Sequence, residues 1–154
     1  MKIRRPDNRI LLEKPLSLEK KSLAIKGSLK KESNLFEQEL QASQKQQFTE
    51  KLKAAVVEID ELGQRLIRIR TVDILTQYRE LIKNFLKDVV QNLYLLKEEL
   101  HFAPKGKHRA LVLVKTVNKN LEDLVRMVLD KETSNLKLLE KVGEIKGMLI
   151  DLYS

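Results

Sequence analysis

The clearest pattern in the chain is a regular recurrence of apolar residues between Val72 and Leu100. They return at alternating steps of three and four, which places their side chains on one face of an α-helix. The set is Ile74, Tyr78, Leu81, Phe85, Val89, Leu93, Leu96 and Leu100, with Leu75, Ile82 and Leu86 beside it. We therefore predict an amphipathic helix over 72–100 with Thr71 as its N-cap, and other helices must cover its wide apolar face.

A helix is also predicted before this central one. It begins near Ser33, a residue type favoured at the N-cap, and it extends to about Arg68–Arg70. Gly63 leaves two interpretations open: a cap that ends the helix after Leu62, or an interior glycine. We prefer the longer helix, because the apolar rhythm continues beyond the glycine. The apolar positions are Phe36, Leu40, Phe48, Leu52, Ala55, Ile59, Leu62, Leu66 and Ile69.

Two helices are predicted after the central one. The stretch His101–His108 contains Pro104 and Gly106 and is the plainest break in the chain, so the third helix should span about Arg109–Lys131. The polar residues 131–135 then separate it from a fourth helix that Thr133 or Ser134 caps, unless the two are continuous. Inward positions are Leu111, Val114, Val117, Leu121, Leu124 and Val128 in the third helix, and Leu136, Leu139, Val142, Ile145, Leu149 and Leu152 in the fourth.

The predicted fold class is all-α: an antiparallel up-and-down four-helix bundle with an irregular basic N-terminal arm. Short connections force consecutive helices to run antiparallel, and this arrangement is the simplest that covers every apolar face. We assign residues 1–32 to the flexible arm and residues 33–154 to the bundle domain. Neither the handedness of the bundle nor its oligomeric state follows from the sequence.

Composition narrows the class of protein. The 154 residues suffice for one domain with a real core, and the absence of cysteine excludes disulfides and zinc–thiolate sites. The absence of cysteine also suits a reducing compartment. No apolar run is long enough for a membrane span, and the start of the chain lacks the apolar segment of a secretory signal. We expect a cytoplasmic protein that does not bind membranes.

The net charge of +8 is unevenly distributed. Residues 1–47 hold 11 Lys and Arg against 6 Asp and Glu, whereas the rest of the chain is close to balanced. Pro6, Pro15 and Gly27 interrupt residues 1–32, whose apolar pieces are too short to bury much surface. Two interpretations of this arm stay open: a solvated tail, or a segment that binds a partner or an anionic polymer.

Little in the sequence indicates catalysis. Glu98 and His101 form one E-x-x-H pair, but a di-iron bundle needs a second pair and two further glutamates. The glycines do not cluster into a phosphate-binding loop, and the two histidines lie in or beside one break. We therefore expect no enzyme, no catalytic residues, no metal site and no cofactor.

Two basic groups are candidate binding sites. Arg79, Lys83 and Lys87 form a like-charged ridge at steps of four on the central helix, where mutual repulsion costs a few tenths of a kcal/mol. The second group is a basic loop of Lys105, Lys107 and Arg109. Either group could bind phosphates or an acidic partner, and either could be an ordinary solvated surface.

A third feature is the pair Gly143 and Gly147, four residues apart. Small residues at this spacing let another helix approach closely. Internal packing is the preferred interpretation, and contact between two copies of the chain is the alternative.

Two segments resemble the YaaR family of small bacterial proteins. They are YRELIKNFLKDVV at 78–90 and GEIKGMLIDLYS at 143–154, and the similarity extends over roughly 44–154. The resemblance implies an all-helical bundle in the bacterial cytoplasm, with no established activity, substrate or cofactor. Genes of this family often lie near replication genes, which implies some link to nucleic-acid metabolism without locating a site.

Two hypotheses for the function follow. The first is a non-enzymatic helical bundle that serves as a protein–protein interaction module, with an unknown protein as partner. The alternative is a nucleic-acid-associated accessory protein that binds the phosphate backbone through its basic arm and loop. A homodimer is compatible with both.

Overall fold

The computed structural model describes residues 4–96 and 104–154, and within them regular secondary structure is entirely helical. This confirms the all-α class. The helices are α1 (Arg4–Arg68), α2 (Val72–Gln91), α3 (Leu93–Leu96), α4 (Pro104–Leu129) and α5 (Asn135–Tyr153). Side chains are described from Ser28 to Leu96 and from Gly106 onward.

Helix α1 differs from the prediction at its start. It begins at Arg4 rather than near Ser33, so the irregular arm predicted for residues 1–32 is not confirmed. Pro6 falls in the first turn of the helix, where a missing N–H group leaves no intrahelical hydrogen bond unmade. At the other end α1 reaches Arg68 and passes through Gly63, which confirms the longer of the two predicted helices.

Helix α2 begins as predicted but ends early. The Thr71 hydroxyl oxygen accepts a hydrogen bond from the Ile74 N–H at 3.3 Å, so the predicted N-cap is confirmed. The helix breaks at Asn92, whose side-chain amide donates to the Asp88 carbonyl at 3.0 Å. Asparagine competes with the helical backbone in this way, and a single helix over 72–100 is therefore wrong. Residues 97–100 lie outside the described part of the chain.

Helix α4 starts at Pro104, five residues before the predicted start at Arg109. Proline suits the first position of a helix, because its fixed φ is already helical and no N–H is needed there. The break between α4 and α5 is confirmed. Ser134 caps α5 by accepting from the Lys137 N–H at 3.3 Å, and the Asp130 carboxylate accepts from the Glu132 N–H at 3.0 Å.

The core lies between the C-terminal part of α1 and the helices that follow, and it is apolar throughout the described residues. Helix α4 packs against α5 and α2. Most predicted inward positions are buried. Ala55, Leu81 and Val114 are half-buried. Six others are exposed, and for them the prediction was wrong: Phe36, Leu40, Ile69, Leu111, Leu136 and Leu139.

Gly63 marks the closest approach between helices in the core. A Cβ atom placed there would lie 2.8 Å from Val142 Cγ1 on α5 and 3.1 Å from Tyr78 Cε2 on α2. Three helices therefore meet at a position that only hydrogen can occupy. One helical turn away, Lys146 on α5 donates to the Asp60 carboxylate on α1 at 3.2 Å.

Gly143 and Gly147 lie on the exposed face of α5. A Cβ atom at either would meet no atom within 4 Å, so internal packing is not their role.

The chain divides into two compact units, Met1–Ser43 and Gln44–Ser154. The core described above belongs to the second unit. Among the described helices, none combines the length and apolarity that a bilayer span requires.

Candidate functional site

The predicted ridge of Arg79, Lys83 and Lys87 lies on α2. Lys83 and Lys87 are exposed, whereas Arg79 is half-buried. Within the described residues none of the three forms an ion pair, and the Arg79 Nε atom has no hydrogen-bond partner. Their positive charge is thus available at the surface, although their geometry fits no particular ligand.

The predicted basic loop is not a loop. Lys105, Lys107 and Arg109 occupy the first two turns of α4, because that helix begins at Pro104. Lys107 and Arg109 are exposed, and the Lys105 side chain lies outside the described residues. No hydrogen bond or ion pair in the described part of the chain joins this group to the ridge on α2.

A cleft of about 670 Å³ lies between the start of α4 and the end of α5. Its lining includes one imidazole, His108, one guanidinium, Arg109, and one carboxylate, Asp151. No group of three or more potential metal ligands occurs among the described residues. The E-x-x-H pair of Glu98 and His101 lies outside them.

A different surface stands out where α1 meets α2 and α4 meets α5. The guanidinium of Arg70 donates to the Thr133 carbonyl at 2.6 Å and to Asn135 Oδ1 at 2.8 Å. A longer hydrogen bond of 3.5 Å reaches the Asp130 carbonyl. One side chain between α1 and α2 therefore holds the turn between α4 and α5.

Four large aliphatic side chains are exposed around this contact. Each lies within two residues of Arg70 or of a residue that Arg70 contacts. We call them the apolar end: Ile69, Val72, Leu129 and Leu136, which are 53%, 65%, 62% and 65% exposed. Single exposed aliphatic residues are common on proteins, but these four all lie in sequence beside one inter-helix contact, and exposed apolar groups collected at one place often mark interaction sites.

Exposed cationic side chains lie close in sequence to the apolar end. Arg65 and Arg68 lie in the last turn of α1, and Arg126 lies in the last turn of α4. Lys131 and Lys137 follow on the turn and on α5, and all five are exposed. Some of this charge serves the helices themselves, since cations near a helix C-terminus are favourable. The acidic residues nearby are Asp73, Asp130 and Glu132.

The sequence contained only part of the signal for this surface. Arg65, Arg68 and Arg70 cluster visibly in the sequence, but Leu136 was assigned to the core because it precedes Leu139 by three residues. It lies about 160° around α5 from the centre of the buried face, and it is exposed. Likewise, Ile69 and Val72 flank the turn on either side of Arg70 and Thr71, where a periodic pattern does not distinguish covered from uncovered positions.

The chain is similar to several known proteins. A family described as "Protein of unknown function (DUF327)" matches residues 12–153. The uncharacterized protein YaaR of Bacillus subtilis (strain 168) is 33% identical over 105 residues, which cover 68% of this chain and 72% of that protein.

Two solved structures are similar as well. The crystal structure of the uncharacterized protein BH1478 from Bacillus halodurans has a TM-score of 0.67 at 37% identity, covering 75% of this chain and 94% of that one. Moevan, a designed granulopoietic protein made by topological rescaffolding, has a TM-score of 0.62 at 30% identity and covers 71% of this chain and 94% of its own.

Proposed function

We propose that this chain, which belongs to the DUF327 family of proteins of unknown function, is a non-enzymatic protein–protein interaction module of the bacterial cytoplasm. The absence of cysteine suits that reducing compartment. The apolar end is the binding surface in this proposal, and its exposure is the observation that carries it.

The architecture proposed for residues 44–154 is an antiparallel up-and-down four-helix bundle, with α3 continuing the course of α2. Several contacts support it. Arg70 links the end of α1 to the turn between α4 and α5, and Lys146 pairs with Asp60 farther along both helices. Lys51 on α1 pairs with Asp88 on α2 at 3.6 Å. Pairs of this kind, early on one helix and late on the next, fit helices that alternate in direction.

The exposed apolar area of the apolar end favours binding of a partner. Burying exposed aliphatic surface is favourable by about 25 cal/mol per Å², so a partner that covers four such side chains gains several kcal/mol before the costs of association. Because Arg70 holds the turns in place, little order has to be created when the partner binds. A preformed patch binds more tightly than a mobile one of equal area.

The surrounding charge indicates the chemistry of the partner. Exposed arginines and lysines lie close in sequence to the aliphatic residues of the apolar end, and arginine is a residue type enriched at interaction hot spots. We infer that the partner presents an apolar surface edged by Asp or Glu. Attraction between the two sets of charges would accelerate association and would weaken as ionic strength rises.

The test compares capture by two variants that change equal numbers of exposed aliphatic residues. Leu129→Gln with Leu136→Gln alters the apolar end, whereas Val57→Gln with Val112→Gln alters aliphatic residues that are 58% and 47% exposed elsewhere. Proteins bound by each chain from a bacterial lysate are identified by mass spectrometry. Their affinities are then measured with purified components by calorimetry.

We expect the Leu129/Leu136 variant to bind at least about tenfold more weakly, a change of about 1.4 kcal/mol, and the Val57/Val112 variant to bind like the original chain. Equal binding by all three chains would refute the apolar end as the interface. Circular dichroism checks that each variant remains folded.

The alternative function is that of a nucleic-acid-associated accessory protein. The observation that favours it is the exposure of Lys83, Lys87, Lys107 and Arg109. Phosphate binding by such residues, with the N-terminal basic segment, would release counterions from the nucleic acid.

Titration with fluorescent DNA at several salt concentrations tests this alternative. The logarithm of the binding constant should fall linearly with the logarithm of salt, with a slope of about −0.7 to −0.9 per phosphate neutralised. Lys83→Gln with Lys87→Gln should reduce the slope, while Lys115→Gln with Lys119→Gln, an exposed pair at the same spacing on α4, should not. Undetectable binding at low salt removes the alternative.

A further inference from the structure

The segment of α1 from Ser28 to Gln44 is exposed to solvent on all sides. Every residue from Ser28 to Gln44 is exposed, including Leu29, Phe36 and Leu40, which are 58%, 68% and 48% exposed. Helices in proteins take most of their stability from the packing of an apolar face, and isolated short helices are marginal in water. A helical segment that exposes a phenylalanine to this extent is well suited to pairing with another helix.

The exposed residues follow the spacing of a helix–helix seam. Leu29, Ser33, Phe36 and Leu40 succeed one another at steps of four, three and four, which are the alternating core positions of a heptad. We call these four residues the α1 stripe. Leu35, although 60% exposed, lies more than 100° away around the helix and is not part of the stripe.

The steps of four, three and four between the residues of the stripe are the same when the chain direction is reversed. An antiparallel pairing of two copies, centred between Asn34 and Leu35, places Leu29 opposite Leu40 and Ser33 opposite Phe36. Each layer of the seam then pairs an a position of one copy with a d position of the other, and the small Ser33 faces the large Phe36. The aromatic ring thereby has room in the opposing layer.

Charge selects this antiparallel orientation over a parallel one. Lys30 and Lys31 lie in the first half of the stripe, and Glu37 and Glu39 lie in the second half. In the antiparallel pairing Lys30 of each copy flanks the seam beside Glu37 of the other, and these two attractive contacts offset the two Glu32–Glu39 contacts on the opposite side. Parallel copies would instead place Glu32 of each copy beside Glu37 of the other, with no attractive pair of charges between Ser28 and Leu40 to offset this repulsion.

We propose that two copies of this chain associate through the α1 stripe as an antiparallel helix pair, with Leu29 of one copy against Leu40 of the other. The seam is short, so the dimer is weak and forms as protein concentration rises. This surface shares no residue with the apolar end, and the proposal does not depend on the function proposed above.

Sedimentation equilibrium of the full chain over a range of concentrations tests whether the stripe mediates association. The variant Phe36→Gln with Leu40→Gln removes two apolar residues of the stripe and keeps good helix formers. Leu35→Gln is the matched control on the same helix. We expect the stripe variant to weaken dimerisation at least about tenfold and the control to leave it within about twofold of the original.

Cross-linking tests the orientation, because the chain contains no cysteine and a single introduced thiol is unambiguous. An equimolar mixture of Leu29→Cys and Leu40→Cys chains should form a disulfide-linked pair under mild oxidation. Leu29→Cys alone should not, since antiparallel copies hold its two thiols about 16 Å apart along the helix axis.

The outcomes separate cleanly. Loss of the dimer in the stripe variant, retention in the Leu35→Gln control and cross-linking only in the mixture support the proposal. A chain that is monomeric at every concentration overturns it, as does a dimer that the stripe variant leaves intact. Efficient self-linking of Leu29→Cys alone would indicate parallel copies and would also overturn it.

Discussion

At the scale of single residues, two positions in the core have environments that restrict which side chains can replace them. Gly63 stands where three helices meet without room for a Cβ atom. Tyr78 is completely buried, and its hydroxyl oxygen has no hydrogen-bond partner among the described residues. Burial raises the pKa of the Tyr78 phenol well above its ordinary value, and the nearby Asp60 carboxylate raises it further.

Replacing Gly63 by alanine should destabilise the protein despite the better helix propensity of alanine. The added methyl group would meet Val142 Cγ1 at 2.8 Å, and overpacking of this kind costs about 1–3 kcal/mol. The exposed Gly143→Ala is the matched control, and it should gain about 0.5–1 kcal/mol from propensity alone. Urea unfolding of both variants measures the difference.

The variant Val142→Ala supplies a second check on this contact. If the two side chains collide, Gly63→Ala should cost less in the Val142→Ala background than in the original chain, which is a coupling that a double-mutant cycle measures. Equal costs in both backgrounds would show that contact with the Val142 side chain does not cause the loss of stability.

Replacing Tyr78 by phenylalanine should stabilise the fold by about 1 kcal/mol, since it removes a buried hydroxyl group without a partner. Tyr94→Phe, at a side chain that is 61% exposed, should change the free energy of unfolding by at most a few tenths of a kcal/mol at neutral pH. A loss of stability in Tyr78→Phe would show that the hydroxyl group makes a favourable contact.

The raised pKa of Tyr78 also predicts a dependence on alkaline pH. The unfolded chain releases this proton near pH 10, but the folded chain retains it to higher pH. The contribution of Tyr78 to stability is therefore complete below about pH 10 and is lost as pH rises above that value. Tyr78→Phe should lose stability less steeply than the original chain between about pH 10 and 11, as measured by urea unfolding.

At the scale of elements, local chemistry determines where helices begin and end. Some of these ends could be predicted from the sequence and others could not. The caps at Thr71 and Ser134 were predictable, because a serine or threonine just before an apolar helical pattern can accept a hydrogen bond from an unpaired N–H group of the first turn. The break at Asn92 was not predicted, since the apolar rhythm continues across it. Pro104 was taken as a helix breaker, although it starts α4.

Arg70 is the element-scale contact with the clearest energetic consequence. Arg70→Ala should cost about 1–3 kcal/mol, because two backbone carbonyls and the Asn135 side chain lose a charged donor. Arg70→Lys should recover only part of this, since a lysine cannot reproduce the planar fork of donors. Hydrogen exchange should show weaker protection at the start of α5.

Arg68→Ala is the control for this prediction. Arg68 is exposed and forms no ion pair within the described residues, so its loss should change stability by no more than about 0.5 kcal/mol. Equal effects of the two substitutions would show that Arg70 does not hold the turns together.

At the scale of the whole molecule, the helical class followed from periodicity, while the candidate site did not. The spacing of Ile74, Tyr78, Ile82 and Phe85 determines a buried face whichever helices cover it. Leu136 and Leu139 precede Val142 at two successive steps of three, which turns them away from the buried face of α5, and both are exposed. A pattern that alternates steps of three and four therefore predicts the core better than single apolar residues at either step.

The enclosed position of Tyr78 has a practical consequence for studying this protein. The chain has three tyrosines and no tryptophan; Tyr94 is exposed and Tyr153 is half-buried. Near-ultraviolet dichroism requires a rigid, asymmetric setting around a chromophore, and Tyr78 alone among these rings is wholly enclosed by packed helices. The near-ultraviolet dichroism of Tyr78 should therefore report whether α1, α2 and α5 remain packed together, without any added label.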